Sequence, residues 1–137
     1  VKRATVFWAE NADRAVLLAR RPDKGLLGGT EGPWTSPLTQ DHAPEEAMRF
    51  APFAADWVRV AGIVEHGFTH FTLAMTVLVA TAVESQAPAG ARWVSLEALK
   101  DAGLPTALQK PAAHALAALH GPEAAKRLKR RPGRGSG

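Results

Sequence analysis

An α+β fold is what this sequence predicts: a mixed, antiparallel-dominated β-sheet flanked by helices. Three observations carry that expectation. Runs rich in β-branched and aromatic residues recur at 3–9, 14–20, 57–65 and 71–82. Helical patterns begin at proline- or serine-headed starts near Pro44, Ser95 and Thr106. The order β-β-loop-α-β-β-β-α-α leaves most neighbouring strands joined by turns rather than by crossover helices.

The first two strands, 3–9 and 14–20, flank the turn residues Glu10-Asn11-Ala12-Asp13 and predict a hairpin. The second run is apolar over five residues, which predicts a central strand covered on both faces. Residues 21–43 carry Pro22, Pro33, Pro37 and four glycines, and are expected to form one long loop. Pro44 suits the first position of a short helix, 44–51, which Pro52 ends. A third strand is expected over 57–65, then a polar–aromatic turn over 66–70, then a long fourth strand over 71–82. A Pro/Gly loop at 84–91 leads to a short strand, 92–94. Ser95 caps a short helix over 96–101. An amphipathic helix follows, from Thr106 or Pro111 to His120, stopped by Gly121-Pro122.

A chain of 137 residues predicts one domain, long enough to bury about two-thirds of its unfolded surface. No apolar run reaches the roughly 18 residues of a membrane span, and the N-terminus enters a strand-like run without a signal-peptide profile. The expectation is therefore a monomer with no membrane association, in a bacterial cytoplasm. The chain opens at Val1 rather than Met, which suggests either a piece of a longer protein or removal of the initiating Met. Cysteine is absent, which excludes disulfides, zinc–thiolate sites, iron–sulfur clusters and cysteine nucleophiles within this chain.

The net charge of +4 is unevenly placed. Residues 121–137 hold Lys126, Arg127, Lys129, Arg130, Arg131 and Arg134 against Glu123 alone. Residues 1–120 hold 11 basic and 12 acidic groups, so the body is nearly neutral. We expect a domain over 1–120 and a basic, flexible tail over 121–137. Such a tail either contacts nucleic-acid phosphates or is simply solvated.

Glu45 and Glu46 head the short helix after a Gly-rich loop, where carboxylates could hold Mg²⁺ against a diphosphate. The ordinary alternative is two acids favouring a helix N-terminus. The spacing Gly25, five residues, Glu31 resembles the opening of a Nudix box. Its Arg-Glu positions then fall on Thr39 and Gln40, or on Asp41 and His42 if two residues are inserted. The match is degenerate in either register. His66 and His70 are four apart, but they flank a Gly-containing turn rather than lying on a helix, so metal binding is not expected. His114 and His120 suit surface or capping roles.

Two stretches are more specific together. They are Leu17-Leu-Ala-Arg-Arg-Pro-Asp-Lys-Gly-Leu-Leu-Gly-Gly29 and Glu65-His-Gly-Phe-Thr-His-Phe-Thr-Leu73. In order and spacing they resemble the C-terminal domain of MutY-type adenine DNA glycosylases. Trp93-Val94-Ser95-Leu96 and Leu104-Pro105-Thr106 resemble that domain's closing elements. The likeness covers residues 3 to about 120. Where many members carry Trp-Glu-Phe-Pro, this chain has Thr30-Glu-Gly-Pro-Trp-Thr-Ser-Pro37.

The resemblance implies a Nudix-like fold without pyrophosphatase activity. It implies recognition of 8-oxoguanine opposite the adenine that a separate N-terminal domain flips and excises. The implied site is His66, Phe68, Thr69 and His70. Thr69 would meet the edge that distinguishes the lesion, Phe68 would pack or wedge beside the base, and His70 would support the turn or reach a phosphate. Outside the likeness, the basic run Lys126, Arg127, Lys129, Arg130 and Arg131 is the candidate for contacts to the DNA phosphates, its alternative being a solvated tail. No cofactor or metal is implied in this chain; a 4Fe-4S cluster belongs to the missing N-terminal domain. The implied partners are duplex DNA containing 8-oxoguanine:adenine and that catalytic domain, without which this chain is inactive. The rival reading is a divergent Nudix hydrolase acting on a nucleotide diphosphate derivative.

Overall fold

The computed structural model describes residues 1–21, 29–40 and 44–128, with the side chains of Pro44, Glu45 and Arg127 excepted. Seven strands form one sheet: β1 Lys2–Asn11, β2 Ala15–Arg20, β3 Glu31–Thr35, β4 Val58–Arg59, β5 Val64–Gly67, β6 Thr72–Val83 and β7 Ala91–Ser95. Their order is β4-β6-β1-β3-β2-β7, with β5 on the same edge of β6 as β4. The helices are α1 Pro44–Ala47, α2 Thr106–His120 and α3 Pro122–Ala125. The result is an α+β architecture.

β1 and β6 are the spine. They pair in parallel from Lys2↔Leu73 to Ala9↔Ala80. Both are buried on both faces, β1 from Ala4 to Glu10 and β6 from Leu73 to Ala80. On one face Val6, Trp8, Met75 and Val77 pack beneath Ala112, Ala115 and Leu116 of α2. The small residues of α2 let its backbone approach the sheet. On the other face Phe7 is wholly buried and meets Trp57 edge-on at 5.2 Å. Phe53 stacks between Trp57 and Trp93 there, at 6.0 and 6.2 Å.

Several expectations change. The loop expected over 21–43 contains β3, which lies between β1 and β2 (Phe7↔Trp34, Leu18↔Pro33). The β1–β2 hairpin therefore keeps only the pair Glu10↔Val16 at its base. Its turn is held by Asn11, whose Oδ1 accepts from the amides of Asp13 and Ala15, both at 3.0 Å. β3 reads Glu-Gly-Pro-Trp-Thr, and its Gly32 is a packing requirement. A Cβ there would lie 2.5 Å from Leu108 Cδ1.

The strand expected over 57–65 is two short ones, broken where Gly62 adopts φ +94°. The helix expected over 44–51 is one α-turn continued by 3₁₀ geometry at Met48–Phe50, and that expected over 96–101 is wholly 3₁₀. Ser95 does cap it, accepting from the Glu97 amide at 3.2 Å. Packing does not stop at residue 120. A 3₁₀ turn, Lys126–Leu128, follows α3 and buries Leu128 in the core to 6% exposure.

Candidate nucleic-acid interface

β5 and β6 pair antiparallel from Val64↔Met75 to Gly67↔Thr72. His66 and Gly67 thus belong to β5, not to the turn. Beyond them the Phe68 amide donates to the Phe71 carbonyl at 2.7 Å, closing a hairpin with Thr69 and His70 at its tip. Neither tip residue has positive φ. The primed two-residue hairpin turns need it, so this tip is not one of them. Both tip residues are exposed.

Alternation sends His66, Phe68 and Phe71 to the α2 side. The His66 ring meets Phe68 edge-on at 4.8 Å, and Phe68 stacks on Phe71 at 4.9 Å. Both phenyls pack against the core. Lys2 lays its ammonium 4.8 Å from the centre of the Phe71 ring. Phe68 thus forms the half-buried floor of the turn. His66 Nδ1 is buried without a hydrogen-bond partner.

Gly67, expected within the turn, is a strand residue. It continues the strand, and a Cβ there would meet nothing within 4 Å. What it supplies is a bare, exposed stretch of backbone beside the tip, the kind of place where a ligand can approach closely.

The acidic candidates are deployed differently. Glu31 receives both Nε and Nη2 of Arg92, at 2.6 and 2.7 Å, across β2. That hydrogen bond holds its carboxyl below the usual carboxylate range, against a smaller opposing push from burial. Glu46 stands on a single helical turn and is exposed. Among the described residues, no three His, Cys, Asp or Glu side chains converge on a point. His66 lies on β5 and His70 at the exposed tip, and neither belongs to such a group.

His114 Nε2 is 2.7 Å from the Ala61 carbonyl, and His120 Nε2 is 2.8 Å from Glu10 Oε1. Both tie α2 to the sheet side. In the tail, Lys126 pairs with Glu123 at 3.2 Å on the surface. Lys129, Arg130, Arg131 and Arg134 lie outside the described residues, as do the Arg127 side chain and most of the Arg-Pro-Asp-Lys-Gly-Leu-Leu stretch. Among the described residues, no helix is long and apolar enough to cross a membrane.

The sequence reading missed Lys2, Arg3 and Arg59. Their only signal is a Lys-Arg pair opening the first strand and a lone Arg in a short one. Their placement depends on β1 lying beside β6, which no local pattern encodes.

Comparison with known proteins agrees with the fold. The model of the NUDIX domain family matches residues 5–114. The chain is 33% identical over 110 residues to human adenine DNA glycosylase, and 33% identical over 108 residues to the mouse protein. Each match covers 69% of this chain but only 19% and 20% of the relative, so the chain spans about a fifth of the curated relatives it matches. Among solved structures, it is similar to the C-terminal domain of mouse MUTYH, crystallised in complex with human PCNA. That match has TM-score 0.64 and 25% identity, over 84% of this chain and 87% of that one. A MutT protein from Methanosarcina mazei shares the fold at TM-score 0.62 and 16% identity, over 92% and 91%.

Nudix hydrolases use carboxylates to hold Mg²⁺ against a diphosphate. Among the described side chains Glu31 is committed to Arg92, while the Glu45 side chain lies outside the described residues. The chain belongs to the NUDIX domain family, and within it is similar to the C-terminal domain of adenine DNA glycosylases.

Proposed function

We propose that this chain is the lesion-reading domain of an adenine DNA glycosylase. It recognises 8-oxoguanine opposite adenine in duplex DNA, while a separate N-terminal domain, carrying the 4Fe-4S cluster, excises the adenine.

The observation that carries the reading is the build of the 68–71 hairpin end. Two stacked phenyl rings anchor it to the core, and Thr69 and His70 stand exposed at its tip. Exposed polar groups on a rigidly held tip suit recognition. Oxidation turns guanine N7 from an acceptor into a donor and adds a carbonyl at C8. The Thr69 hydroxyl both donates and accepts, so it can answer the altered edge. His70, also exposed, is placed to reach a phosphate, and half-buried His66 supports the floor.

A well-formed base-edge contact discriminates by about 1–3 kcal/mol. Thr69→Ala, in the chain joined to its catalytic domain, should reduce the preference for 8-oxoguanine:adenine over guanine:adenine by roughly tenfold to a hundredfold. A folded Thr69→Ala with its preference intact overturns the assignment. Turnover of 8-oxo-dGTP that is lost on Glu46→Gln would favour the hydrolase reading instead.

A further inference from the structure

On the sheet face opposite α2, β1, β4 and β6 border a cleft of about 220 Å³. Its lining includes Arg3, Thr5, Ser36, Arg59, Ile63 and Thr76. The parallel register sets Arg3 beside Ala74 and Thr5 beside Thr76, and Arg59 pairs with Leu78 further along the same face. Thr5, Ser36 and Thr76 are buried at 5%, 1% and 8% exposure, whereas the two arginines are exposed.

The polar groups are only partly used. Ser36 Oγ accepts from the Thr5 amide at 2.8 Å and donates to the Pro37 carbonyl at 3.4 Å. The hydroxyls of Thr5 and Thr76 make no hydrogen bond to a described residue. Neither Arg3 nor Arg59 pairs with a described carboxylate. By register, Glu65 lies opposite Ala74 on this face, one strand further out from Arg3, and is exposed. It does not line the cleft.

Two guanidiniums that pair with no described carboxylate, above a floor bearing the Thr5 and Thr76 hydroxyls, suit a tetrahedral oxyanion, which needs both charge and neutral donors. The volume lies below the ~300 Å³ at which pockets begin to hold whole small molecules. One phosphate group and its waters fit; a whole nucleotide does not.

Place favours the DNA backbone as the source. Thr72, Ala74 and Thr76 alternate onto this face, so it runs directly from the Thr69–His70 tip. The six steps from His70 to Thr76 span about 20 Å. A duplex strand carries a phosphate every ~3.4 Å of rise. A duplex held at the tip therefore brings backbone within reach of the cleft.

We propose that the Arg3–Arg59 cleft binds one phosphodiester of the DNA backbone and so fixes the duplex relative to the recognition tip. This rests on the reading that the chain binds duplex DNA.

The test is duplex binding by the full chain from 50 to 200 mM salt, followed by fluorescence anisotropy, for wild type and Arg3→Gln/Arg59→Gln. Both positions are exposed, and a matching melting temperature confirms the fold. The double variant should lower the salt slope by about 0.9, one phosphate's worth. Wild type should then lose about 3.5-fold more affinity than the variant across that salt range. The loss should be equal for 8-oxoguanine and guanine duplexes. An unchanged slope overturns the proposal. So does an NMR response to inorganic phosphate at Thr76 that the variant abolishes while its duplex binding stays wild type, because the cleft then serves free phosphate. Wild-type chain that binds no duplex overturns it as well.

Thr69→Ala run in parallel separates the two readings. Lost lesion preference with an unchanged Arg3→Gln/Arg59→Gln slope sinks only the cleft. The reverse result sinks only the tip.

Discussion

His120, the last residue of α2, places its Nε2 2.8 Å from Oε1 of Glu10 on the central strand. The other carboxylate oxygen accepts from the Trp8 indole at 2.8 Å. Glu10 is 5% exposed, so its charge is affordable only because both oxygens are met. Glu10→Ala leaves the Trp8 and His120 donors without partners and should cost about 2–3 kcal/mol, or roughly 10 °C of melting temperature. His120→Ala, at a more exposed position, should cost about 1–2 kcal/mol. If the two losses simply add in a double variant, the pair is not coupled and the contact is incidental.

The Glu31–Arg92 pair gives a pH dependence of known sign. Glu31 is held below its ordinary range in the folded state, chiefly by the Arg92 hydrogen bond. Its contribution is therefore present above the unfolded carboxylate value and disappears as pH falls through the folded one. Arg92 is well exposed, which keeps the contribution to about 1 kcal/mol or less. Arg92→Gln should melt a few degrees below wild type at pH 7 and together with it near pH 2. A gap that is the same at both pH values would mean that packing, not charge, is what Arg92 provides.

The hairpin floor and tip should separate in a stability assay. Phe68→Ala removes half-buried aromatic packing and should cost about 1–2 kcal/mol. Thr69→Ala and His70→Ala, both exposed, should stay within ~0.5 kcal/mol of wild type. His66→Leu should be neutral or slightly stabilising, because it removes a buried ring nitrogen that has no partner. Equal melting temperatures for Phe68→Ala and wild type would show that the phenyl is not the floor.

Two glycines make a matched contrast. Gly32→Ala pushes a methyl against Leu108, itself 1% exposed and hemmed in, and should cost about 1–3 kcal/mol. Gly67→Ala meets open space and should fold as well as wild type. If DNA lies against this bare backbone, Gly67→Ala should nevertheless weaken duplex binding. Calorimetric melting and anisotropy on the same samples read both effects.

Truncation should distinguish body from tail. Removing 129–137 should leave stability unchanged and flatten the salt dependence of DNA binding if those basic residues touch phosphates. Removing 121–137 also takes away Leu128, buried in the core, and should cost about a further 2–3 kcal/mol. Equal melting temperatures for the two truncations would place Leu128 outside the folded body.

The strands legible in the sequence are those whose own residues favour extension. Val6, Phe7 and Trp8 mark β1, Val16 and Leu17 mark β2, and the run through Val77 and Val79 marks β6. β3 was not legible because Gly32 and Pro33 are strand breakers by propensity. Gly32 is there for Leu108 of a distant helix, and Pro33 lies where the sheet passes from β1 to β2. Gly62 hid the break between β4 and β5 inside a valine-rich run. The Thr69–His70 tip was legible because one short segment carries it whole. The Arg3–Arg59 cleft was not, since its residues meet only through pairings between separate strands.

The parallel β1–β6 pair also governs how the chain reaches this structure. Thr5 finds Thr76 about 70 residues downstream, and β3 must enter beside β1 before the sheet is continuous. Such non-local closures are paid in loop entropy before any contact is returned, so folding should be slow for a chain of this length. A ribosome must deliver the chain beyond Val83 before β1 can be shielded on both edges. Until then its apolar strand is an open edge, the stage of synthesis at which misassociation is most damaging.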